Sequence, residues 1–431
     1  MLATRLPWLT DGYGSDPDAY RVEMAARELA RTGIYDVSRL PGYPAYEYLT
    51  SLSALAPAWV SNLVTALFSV VAFVLFALLL RELAVRRYLL IGLALAMTPV
   101  IYVNSCCTMD YIPAVTLQLA ATYAVLRRRP LLGGLLLGVA AGFRITAGAL
   151  VLPLCLWLWL TLERRVALRQ SVVFAVTMLS IGTLCYLPVW RLYGRTFFGF
   201  YDNHWGPPLD VVVTRALPLV WGPLGVAALI ALLCALPFYH RFAAQTVRHP
   251  PTRAVVLLAA FSVGLYLIAF LRLPDEAGYL IPAVPFVLLA IAVLTPSWAS
   301  GMVAVLLLAS PWIGAGSIVE DHRVRESQQR ATPAVIEAAA RLPGKAVIVC
   351  GWVLPRITLQ LGDTYAGAHQ FVYLIENPED YRHYVLEGRE VYYLPGVDRY
   401  ESQAHELELA QLGARPLSVA PERQRPASTG E

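Results

Sequence analysis

The stretch MDYIPAVTLQLAATYAVLRRRPLLGGLLLGVAAGFRITAGALVLP (109–153) decides the fold class. Apolar runs cover residues 112–126 and 131–143, and three consecutive arginines at 127–129 separate them. A third apolar run follows almost at once, at 145–162. Apolar runs joined by short charged turns are typical of helices that cross a bilayer and return. The sequence therefore predicts an α-helical polytopic membrane protein.

The composition of the whole chain agrees with this prediction. Of its 431 residues, 57% are hydrophobic and 15% are charged, whereas a soluble domain carries about 25% charged residues. No basic block with interleaved aromatics indicates a nucleic-acid partner, and the six cysteines lack metal-site spacing. About ten apolar segments predict membrane helices, at 55–80, 88–103, 112–126, 131–143, 145–162, 171–189, 215–239, 254–272, 279–294 and 302–316.

The loops between these segments alternate in charge. The loops at 81–87, 127–129, 163–169 and 240–253 each hold three arginines, and the intervening loops are richer in acids. The positive-inside rule therefore places the arginine loops in the cytoplasm. The acidic loops, the N-terminal region and the C-terminal region are then expected on the extracytoplasmic side.

This topology predicts that the first outer loop, residues 1–53, lies outside the cell. The opening stretch MLATRLPWLT (1–10) is too short to span a membrane and lacks the layout of a signal peptide. We therefore expect a first helix to be missing ahead of Met1. The alternative is unaided translocation of a short N-terminal tail.

The composition changes after the predicted transmembrane domain, residues 54–316. The stretch VEDHRVRESQQRATPAVIEAAARL is polar and helical, and Thr332 and Pro333 are predicted as an N-cap and a first-turn proline. Strands are predicted in KAVIVCGW and REVYYLPG, and helices in PEDYRHYVLEG and ESQAHELELAQLG. This alternation predicts a small extracytoplasmic α/β domain at 317–421, followed by a disordered tail at 422–431.

Two acidic residues, Asp16 and Asp18, open the helical stretch of the first outer loop. The next residues place Val22, Ala25, Ala26 and Leu29 on one face, which predicts an amphipathic helix along the membrane surface. Asp16 precedes a proline and so suits an N-cap. An outward carboxylate at the lipid surface also suits a general base. The two interpretations are compatible, because a cap fixes the backbone next to the carboxylate.

Asp110 and Arg144 are two further charged candidates at the edge of the predicted membrane region. Asp110 is either the N-cap of the third segment or a functional acid beside an outward cavity. Arg144 lies between apolar runs, where an unpaired arginine costs about 2.5–3.5 kcal/mol. It therefore requires either a protein carboxylate or a ligand anion, and its planar fork suits a phosphate. Gly134, Gly138 and Gly142 precede it at four-residue spacing and predict a close-packed helix face.

The other outer loops contain candidates for substrate contact. His204 lies among aromatic residues in the loop at 190–213. Arg272 and Tyr279 flank the stretch PDEAG (274–278), which contains Glu276. The aromatic residues of such a loop are ordinary at a membrane interface, but aromatic side chains also contact sugars and lipids. The sequence leaves both interpretations open.

In their order along the chain, these features resemble the GT-C superfamily of polytopic glycosyltransferases, which use polyprenyl-phosphate sugars. That superfamily includes the protein O-mannosyltransferases of glycosyltransferase family 39 and the bacterial lipid A aminoarabinose transferases. Asp16 followed by Tyr20 and a helix is similar to their first outer loop. PGYPAYEY (41–48), with Tyr43 and Tyr46, is similar to their Pro/Tyr-rich run.

Two later motifs complete the resemblance, which covers about 11–295. The stretch at 109–153 resembles the family's third helix, its arginine turn and the helix ending in "GlaagtR". PDEAGYLIPAVPF (274–286) resembles the family's "RYLlPalPf" segment, but Gly278 stands where an arginine is usual. This departure puts one donor-phosphate contact in doubt, which Arg272 could replace.

The resemblance implies a transferase in the bacterial inner membrane, with its active site on the extracytoplasmic side. It implies a polyprenyl-phosphate sugar as donor, membrane lipids as partners, a lipid, glycan or protein as acceptor, and no nucleic acid. Asp16 would be the general base of an inverting attack, with Asp18 or Asp110 assisting. Arg144 or Arg272 would hold the donor phosphate. Candidates for substrate contact are Tyr20, Tyr43, Tyr46, His204, Glu276 and Tyr279.

No cofactor is required by these residues, although some members of the superfamily use a divalent metal. The carboxylates of Asp16, Asp18 and Asp110 could supply oxygen ligands to such a metal. The alternative function is a transporter or lipid flippase without transferase activity. That class predicts related halves and charges near the bilayer midplane, and no clear internal repeat is present. A non-catalytic scaffold is the third class.

Overall fold

The structure is a computed structural model that describes residues 1–199, 208–272, 274, 276–362, 367–375, 377–395 and 402–419. The chain divides into two compact units. The first comprises Met1–Ser15 and Arg21–Arg323. The second comprises Asp16–Tyr20 and Val324–Glu431. The tail predicted to be disordered, 422–431, lies outside the described residues.

Helices dominate the chain up to the C-terminal domain. They are α1 (Pro17–Thr32), α2 (Pro44–Ser51), α3 (Ala58–Glu82), α4 (Tyr88–Met97), α5 (Pro99–Asn104), α6 (Tyr111–Leu126), α7 (Pro130–Phe143), α8 (Val151–Thr161), α9 (Arg164–Tyr193), α10 (Thr196–Gly199), α11 (Leu209–Ala216), α12 (Pro218–Cys234), α13 (Leu236–Arg248), α14 (Pro250–Arg272), α15 (Val284–Leu294) and α16 (Ser297–Ala309). Short 3-10 helices occur among them, including Ile145–Leu150 before α8 and Ala277–Leu280 before α15.

All ten apolar segments fold mainly as helices, which confirms that part of the prediction. Among the described residues, α3, α9 and α14 are long and apolar enough to cross a membrane. A bent pair, α11 and α12, meets the same criterion jointly and is bent by 71°. The remaining apolar helices are shorter, because breaks such as the one at Thr98, between α4 and α5, divide the segments.

The glycines of α7 form the close-packed face that their spacing predicts. A Cβ atom at Gly134 would lie 2.6 Å from the carbonyl oxygen of Phe174. One at Gly138 would lie 2.6 Å from the Cβ of Ile181. These close approaches hold α7 against α9. They therefore fix the position of the residues that follow α7.

Helix α1 is amphipathic as predicted, but protein covers its apolar face. Val22 is fully buried in a cluster with Tyr43 and Phe143, and Leu29 is buried with Tyr186 and others. The aromatic residues before α2 and on α9 supply this apolar partner, which the sequence pattern of α1 cannot show. That the helix lies along the membrane surface stays a prediction.

The second unit contains a four-stranded parallel sheet with strand order β2-β1-β3-β4. Strands in KAVIVCGW and REVYYLPG, and helices in PEDYRHYVLEG and ESQAHELELAQLG, are confirmed. Apolar clusters cover both faces of β1, as a parallel sheet requires. The elements are α17 (Ile318–Ala340), β1 (Ala346–Val349), α18 (Leu354–Leu361), β2 (Gln370–Val372), α19 (Pro378–Leu386), β3 (Glu390–Tyr393), α20 (Ser402–Leu412) and β4 (Arg415–Pro416).

The predicted helix start at Thr332 and Pro333 is wrong, because α17 runs through both residues. The Thr332 hydroxyl donates to the carbonyl oxygen of Gln328, four residues earlier, instead of capping a new helix. A proline removes one backbone hydrogen bond from a helix, and packing can offset this cost. Here Val335 and Ala339, which follow the proline, are buried against the sheet.

Candidate functional site

The centre of the candidate site in the first unit is an ion pair between Asp110 and Arg144. Asp110 lies immediately before α6, and Arg144 lies immediately after α7 with extended backbone. Arg144 Nη1 donates to Asp110 Oδ2 over 2.7 Å, and both side chains are buried. Of the two partners that the sequence left open for Arg144, the structure contains the protein carboxylate. Asp110 occupies the N-cap position of α6, as one of its two interpretations predicted, but its side chain makes no capping hydrogen bond.

Three tyrosine rings surround the Arg144 guanidinium. Its central carbon lies 4.1 Å from the ring centroid of Tyr111, 4.7 Å from that of Tyr279 and 5.8 Å from that of Tyr43. The ring faces attract the cation and stabilise it away from water. The candidates Asp110, Arg144, Tyr43 and Tyr279, distant in sequence, are thus brought together. Tyr111 was not predicted, although its position next to Asp110 in the MDY motif was a signal.

Two polar atoms of this cluster are buried without a hydrogen-bond partner among the described residues. They are the second carboxylate oxygen of Asp110, Oδ1, and the hydroxyl of Tyr111. Leaving such a group unsatisfied costs about 1–3 kcal/mol, and most buried polar groups find a partner. An acceptor and a hydroxyl donor therefore remain beside the guanidinium for a polar ligand group.

Gly278 stands where the motif that this chain resembles has an arginine, and the structure gives a steric reason for the glycine. A Cβ atom at Gly278 would lie 2.7 Å from Cζ of the Tyr111 ring, which is too close for any side chain. An arginine there would displace Tyr111 from Arg144. The backbone at Gly278 thus packs directly against the Tyr111 ring. Arg144 is the buried cation beside that ring.

A second set of hydrogen bonds positions Tyr43 at the start of α2. Arg39 Nε donates to the Tyr43 hydroxyl over 3.0 Å. The buried Glu47 carboxylate accepts hydrogen bonds from the Ser38 backbone, the Ser38 hydroxyl and the Tyr35 hydroxyl. Burial raises the pKa of the Glu47 carboxyl, while these hydrogen bonds lower it. The network fixes the loop that carries Tyr43.

Tyr46 lies one turn further along α2 and belongs to the apolar core. Its ring packs edge-on against Phe143, with centroids 5.9 Å apart, and is almost fully buried. Phe143 is the last residue of α7. Tyr46 therefore supports the end of the helix from which Arg144 follows.

The acidic stretch Asp16–Tyr20 belongs to the second unit. Helix α1 begins at Pro17, and Asp16 Oδ1 accepts a hydrogen bond from the Asp18 amide over 2.8 Å. The N-cap interpretation of Asp16 is therefore confirmed. Ser15, which belongs to the first unit, donates its hydroxyl to Asp321.

Tyr20 packs against a buried arginine of the C-terminal domain that sequence reasoning missed. The guanidinium of Arg356 lies 4.7 Å from the Tyr20 ring centroid. Burial lowers the pKa of Arg356, nearby Tyr20 and Asp16 raise it, and Arg325 lowers it. Both arginines are buried. No local pattern marks them, because they lie in polar or ordinary helical stretches.

The remaining candidates lie at element ends. Asp18 is in the first turn of α1, and Arg272 ends α14. Glu276 precedes the 3-10 helix that carries Tyr279, and its carbonyl oxygen accepts from the Tyr279 amide over 3.2 Å. His204 lies outside the described residues.

The charges around Asp110 favour an anion over a cation. Within the described residues, no group of three or more His, Cys, Asp or Glu side chains is placed to hold a metal. In the first unit, Asp110 is paired with a guanidinium, and Glu276 lies close enough to Tyr111 and Tyr279 to interact with both electrostatically. A divalent cation would be repelled by that guanidinium, whereas a phosphate would be attracted.

Comparison with known proteins identifies the fold. No family model and no curated protein sequence match the chain. The crystal structure of ArnT from Cupriavidus metallidurans bound to undecaprenyl phosphate matches with a TM-score of 0.55. The match covers 96% of this chain and 88% of that chain, at 14% sequence identity. The chain therefore has an ArnT-like fold, and its apolar helices are those of a membrane protein.

Proposed function

We propose that the protein is a GT-C-type membrane glycosyltransferase. It would transfer a sugar from a polyprenyl-phosphate donor to a lipid, glycan or protein acceptor on the extracytoplasmic side of the bacterial inner membrane. The observation that carries the proposal is the buried Asp110–Arg144 pair between tyrosine rings. The likeness to ArnT, which was solved with undecaprenyl phosphate bound, supports it.

In this proposal Arg144 holds the donor phosphate. A guanidinium has five N–H donors, and the ion pair with Asp110 uses Nη1. When the sugar–oxygen bond breaks, negative charge grows on the polyprenyl-phosphate leaving group. A buried, preorganised cation stabilises that charge more strongly than water does. Arg272 is the second candidate for this role.

Asp16 is proposed as the general base. A carboxylate removes the proton of the acceptor hydroxyl while the hydroxyl oxygen attacks the anomeric carbon from the face opposite the phosphate. The new bond forms as the bond to phosphate breaks, so the configuration inverts. The N-cap hydrogen bond at Oδ1 supports this role, because it fixes the orientation of the carboxyl group. Asp18 and Asp110 are proposed to assist.

The orientation in the membrane follows from the arginine loops. The twelve arginines of the loops at 81–87, 127–129, 163–169 and 240–253 are proposed to face the cytoplasm. Asp110 and Arg144 lie at the other ends of α6 and α7 from the arginines at 127–129. The proposed donor site is therefore extracytoplasmic.

A transfer assay tests the function. Membranes with the wild-type protein are supplied with labelled polyprenyl-phosphate sugars, and transfer to endogenous acceptors is measured. Because removing one buried charge leaves the other uncompensated, the informative variant is the neutral pair Asp110→Asn with Arg144→Gln. We expect about a 10²-fold loss of transfer, with normal protein levels.

The matched control is Arg164→Gln, which removes the same charge from the exposed first turn of α9 and should transfer normally. Wild-type transfer by the neutral pair would contradict the role of Arg144. Asp16→Asn is measured in parallel, and retained activity would contradict its role as base.

A lipid flippase is the second candidate, and one observation favours it. The 71° break between α11 and α12 resembles the discontinuous helices of transporters. Labelled lipid reconstituted in vesicles distinguishes the two functions. A flippase moves the lipid between leaflets without forming a new glycoside.

A further inference from the structure

A large cavity lies at the arginine-rich end of the helices in the first unit. Its volume is about 1060 Å³, and its walls come from the ends of α3, α6, α8 and α15 and the beginnings of α14 and α16. Leu126, the last residue of α6, lines it, whereas Asp110 precedes the first residue of the same helix. A helix of 16 residues is about 24 Å long, so this cavity is separate from the Arg144 cluster.

The charges around the cavity are strongly positive. The four loops at this end contain twelve arginines and two carboxylates, Glu82 and Glu163. Glu82 lines the cavity but is paired with Arg127 over 2.9 Å. Arg86 also lines it, is exposed, and has no carboxylate partner among the described residues. The cavity therefore presents a cation to any ligand that enters.

Apolar surface makes up somewhat more than half of the cavity wall. The apolar residues include Trp157, Leu160, Phe242, Val255 and Val293. A small soluble anion would gain nothing from these side chains, whereas a molecule with a charged head and an apolar body would contact both surfaces.

The backbone at the rim also has an unusual conformation. Among the described residues, the non-glycine residues with left-handed φ are Ala84, Arg87 and Arg128, at 56°, 56° and 57°. All three lie in the two arginine loops next to the cavity, and Ala84 lines it. Ala84 and Arg128 each follow the end of a helix, α3 and α6, and the next amide bonds back to that helix (Val85 to Leu80, Arg129 to Ala124). These two conformations are therefore left-handed helix C-caps, which fix the course of both loops beside the cavity.

We propose that this cavity binds an anionic phospholipid from the adjacent leaflet. The lipid phosphate pairs with Arg86, and an acyl chain lies along Trp157 and Phe242. The volume exceeds the upper end of ordinary small-molecule sites, about 1,000 Å³, which suits a head group with the first part of its chains. The site is independent of the transferase site and of the proposed function.

The test measures lipid binding directly. Purified, delipidated full-length protein is titrated with phosphatidylglycerol or phosphatidylcholine, and bound lipid is counted by native mass spectrometry. Wild-type protein should prefer phosphatidylglycerol. Arg86→Gln should weaken its binding about tenfold, which is the loss expected for one charge-assisted hydrogen bond. The control Arg164→Gln removes a nearby exposed arginine that does not line the cavity and should bind as the wild type does.

A second variant, Ala292→Phe, fills the cavity without changing charge, because Ala292 lines it. It should reduce binding of both lipids, and its melting temperature reports whether it folds. Equal binding of both lipids by the wild type, or equal phosphatidylglycerol binding by Arg86→Gln and Arg164→Gln, would overturn the proposal. Transfer activity is not a readout here, so a failure of the transferase assignment leaves the result interpretable.

Discussion

Asp16 and Asp110 precede helices in similar local sequence, but the structure uses them differently. Both stand at an N-cap position with a proline close behind. Asp16 is partly exposed and accepts the capping hydrogen bond from the Asp18 amide. Asp110 is fully buried and pairs with Arg144 instead. An unpaired buried carboxylate costs more free energy than a missing helix cap. Burial rather than local sequence therefore decides the role of each aspartate.

The largest predicted effect comes from breaking the buried pair. Arg144→Ala leaves Asp110 charged and buried, and we expect a destabilisation of about 3–5 kcal/mol. The neutral double variant Asp110→Asn with Arg144→Gln should recover most of that loss. Denaturant unfolding in detergent measures both. Equal stability of Arg144→Ala and the double variant would show that the pair does not matter for folding.

Glu23 is an intermediate case, because it is buried while its partner Arg27 is partly exposed. Burial raises the pKa of Glu23 to about 7, against which the Arg27 hydrogen bond acts. The folded state therefore binds more protons than the unfolded state between the ordinary glutamate pKa and about 7. Stability should fall as pH rises through this window, by about 3 kcal/mol, and then level off.

The Glu23→Gln variant isolates this contribution. It should flatten the decrease, whereas Glu28→Gln, which removes an exposed carboxyl of the same helix, should leave the decrease unchanged. The measurement is the free energy of unfolding from about pH 5 to pH 8. An unchanged decrease in Glu23→Gln would contradict the assignment.

Gly278→Arg tests how tightly the tyrosine cage is built around Arg144. The new side chain collides with Tyr111, and overpacking of this kind costs about 1–3 kcal/mol. We also expect a loss of transfer, because Tyr111 moves from the guanidinium. The double variant Gly278→Arg with Tyr111→Ala should recover stability, since it creates space for the arginine. Full stability of the single variant would show that the cage is loose.

The smallest effect separates the two roles of Asp16. Asp16→Ala removes the cap and should cost about 0.5–2 kcal/mol, whereas Asp16→Asn keeps a capping oxygen and should cost little. If Asp16 is also the base, both variants lose transfer. Unfolding measurements and the transfer assay together distinguish a cap from a base.

Features that repeat along the sequence, such as apolar runs and glycine spacing, were predicted. Contacts between residues far apart in the chain were mostly missed. Apolar runs predicted the helices, and the glycine spacing of α7 predicted its close contact with α9. The requirement of Arg144 for a counter-charge followed from its apolar neighbours, and Asp110 supplies it.

The missed features have little or no local signal. Tyr111 is an ordinary aromatic residue until Tyr279 and Arg144 fold against it. Arg356 is buried beside Tyr20 although its own helix is short and amphipathic. The proline in α17 reads locally as a helix start, and only the packing of the residues behind it keeps the helix continuous.

The close approach of Gly278 to the Tyr111 ring couples the side-chain sizes allowed at two positions that are far apart in the chain. One small volume holds either a ring from position 111 or a side chain from position 278. A variant with an arginine at 278 therefore needs a smaller side chain at 111. A substitution that enlarges either position should be tolerated only together with one that makes the other smaller.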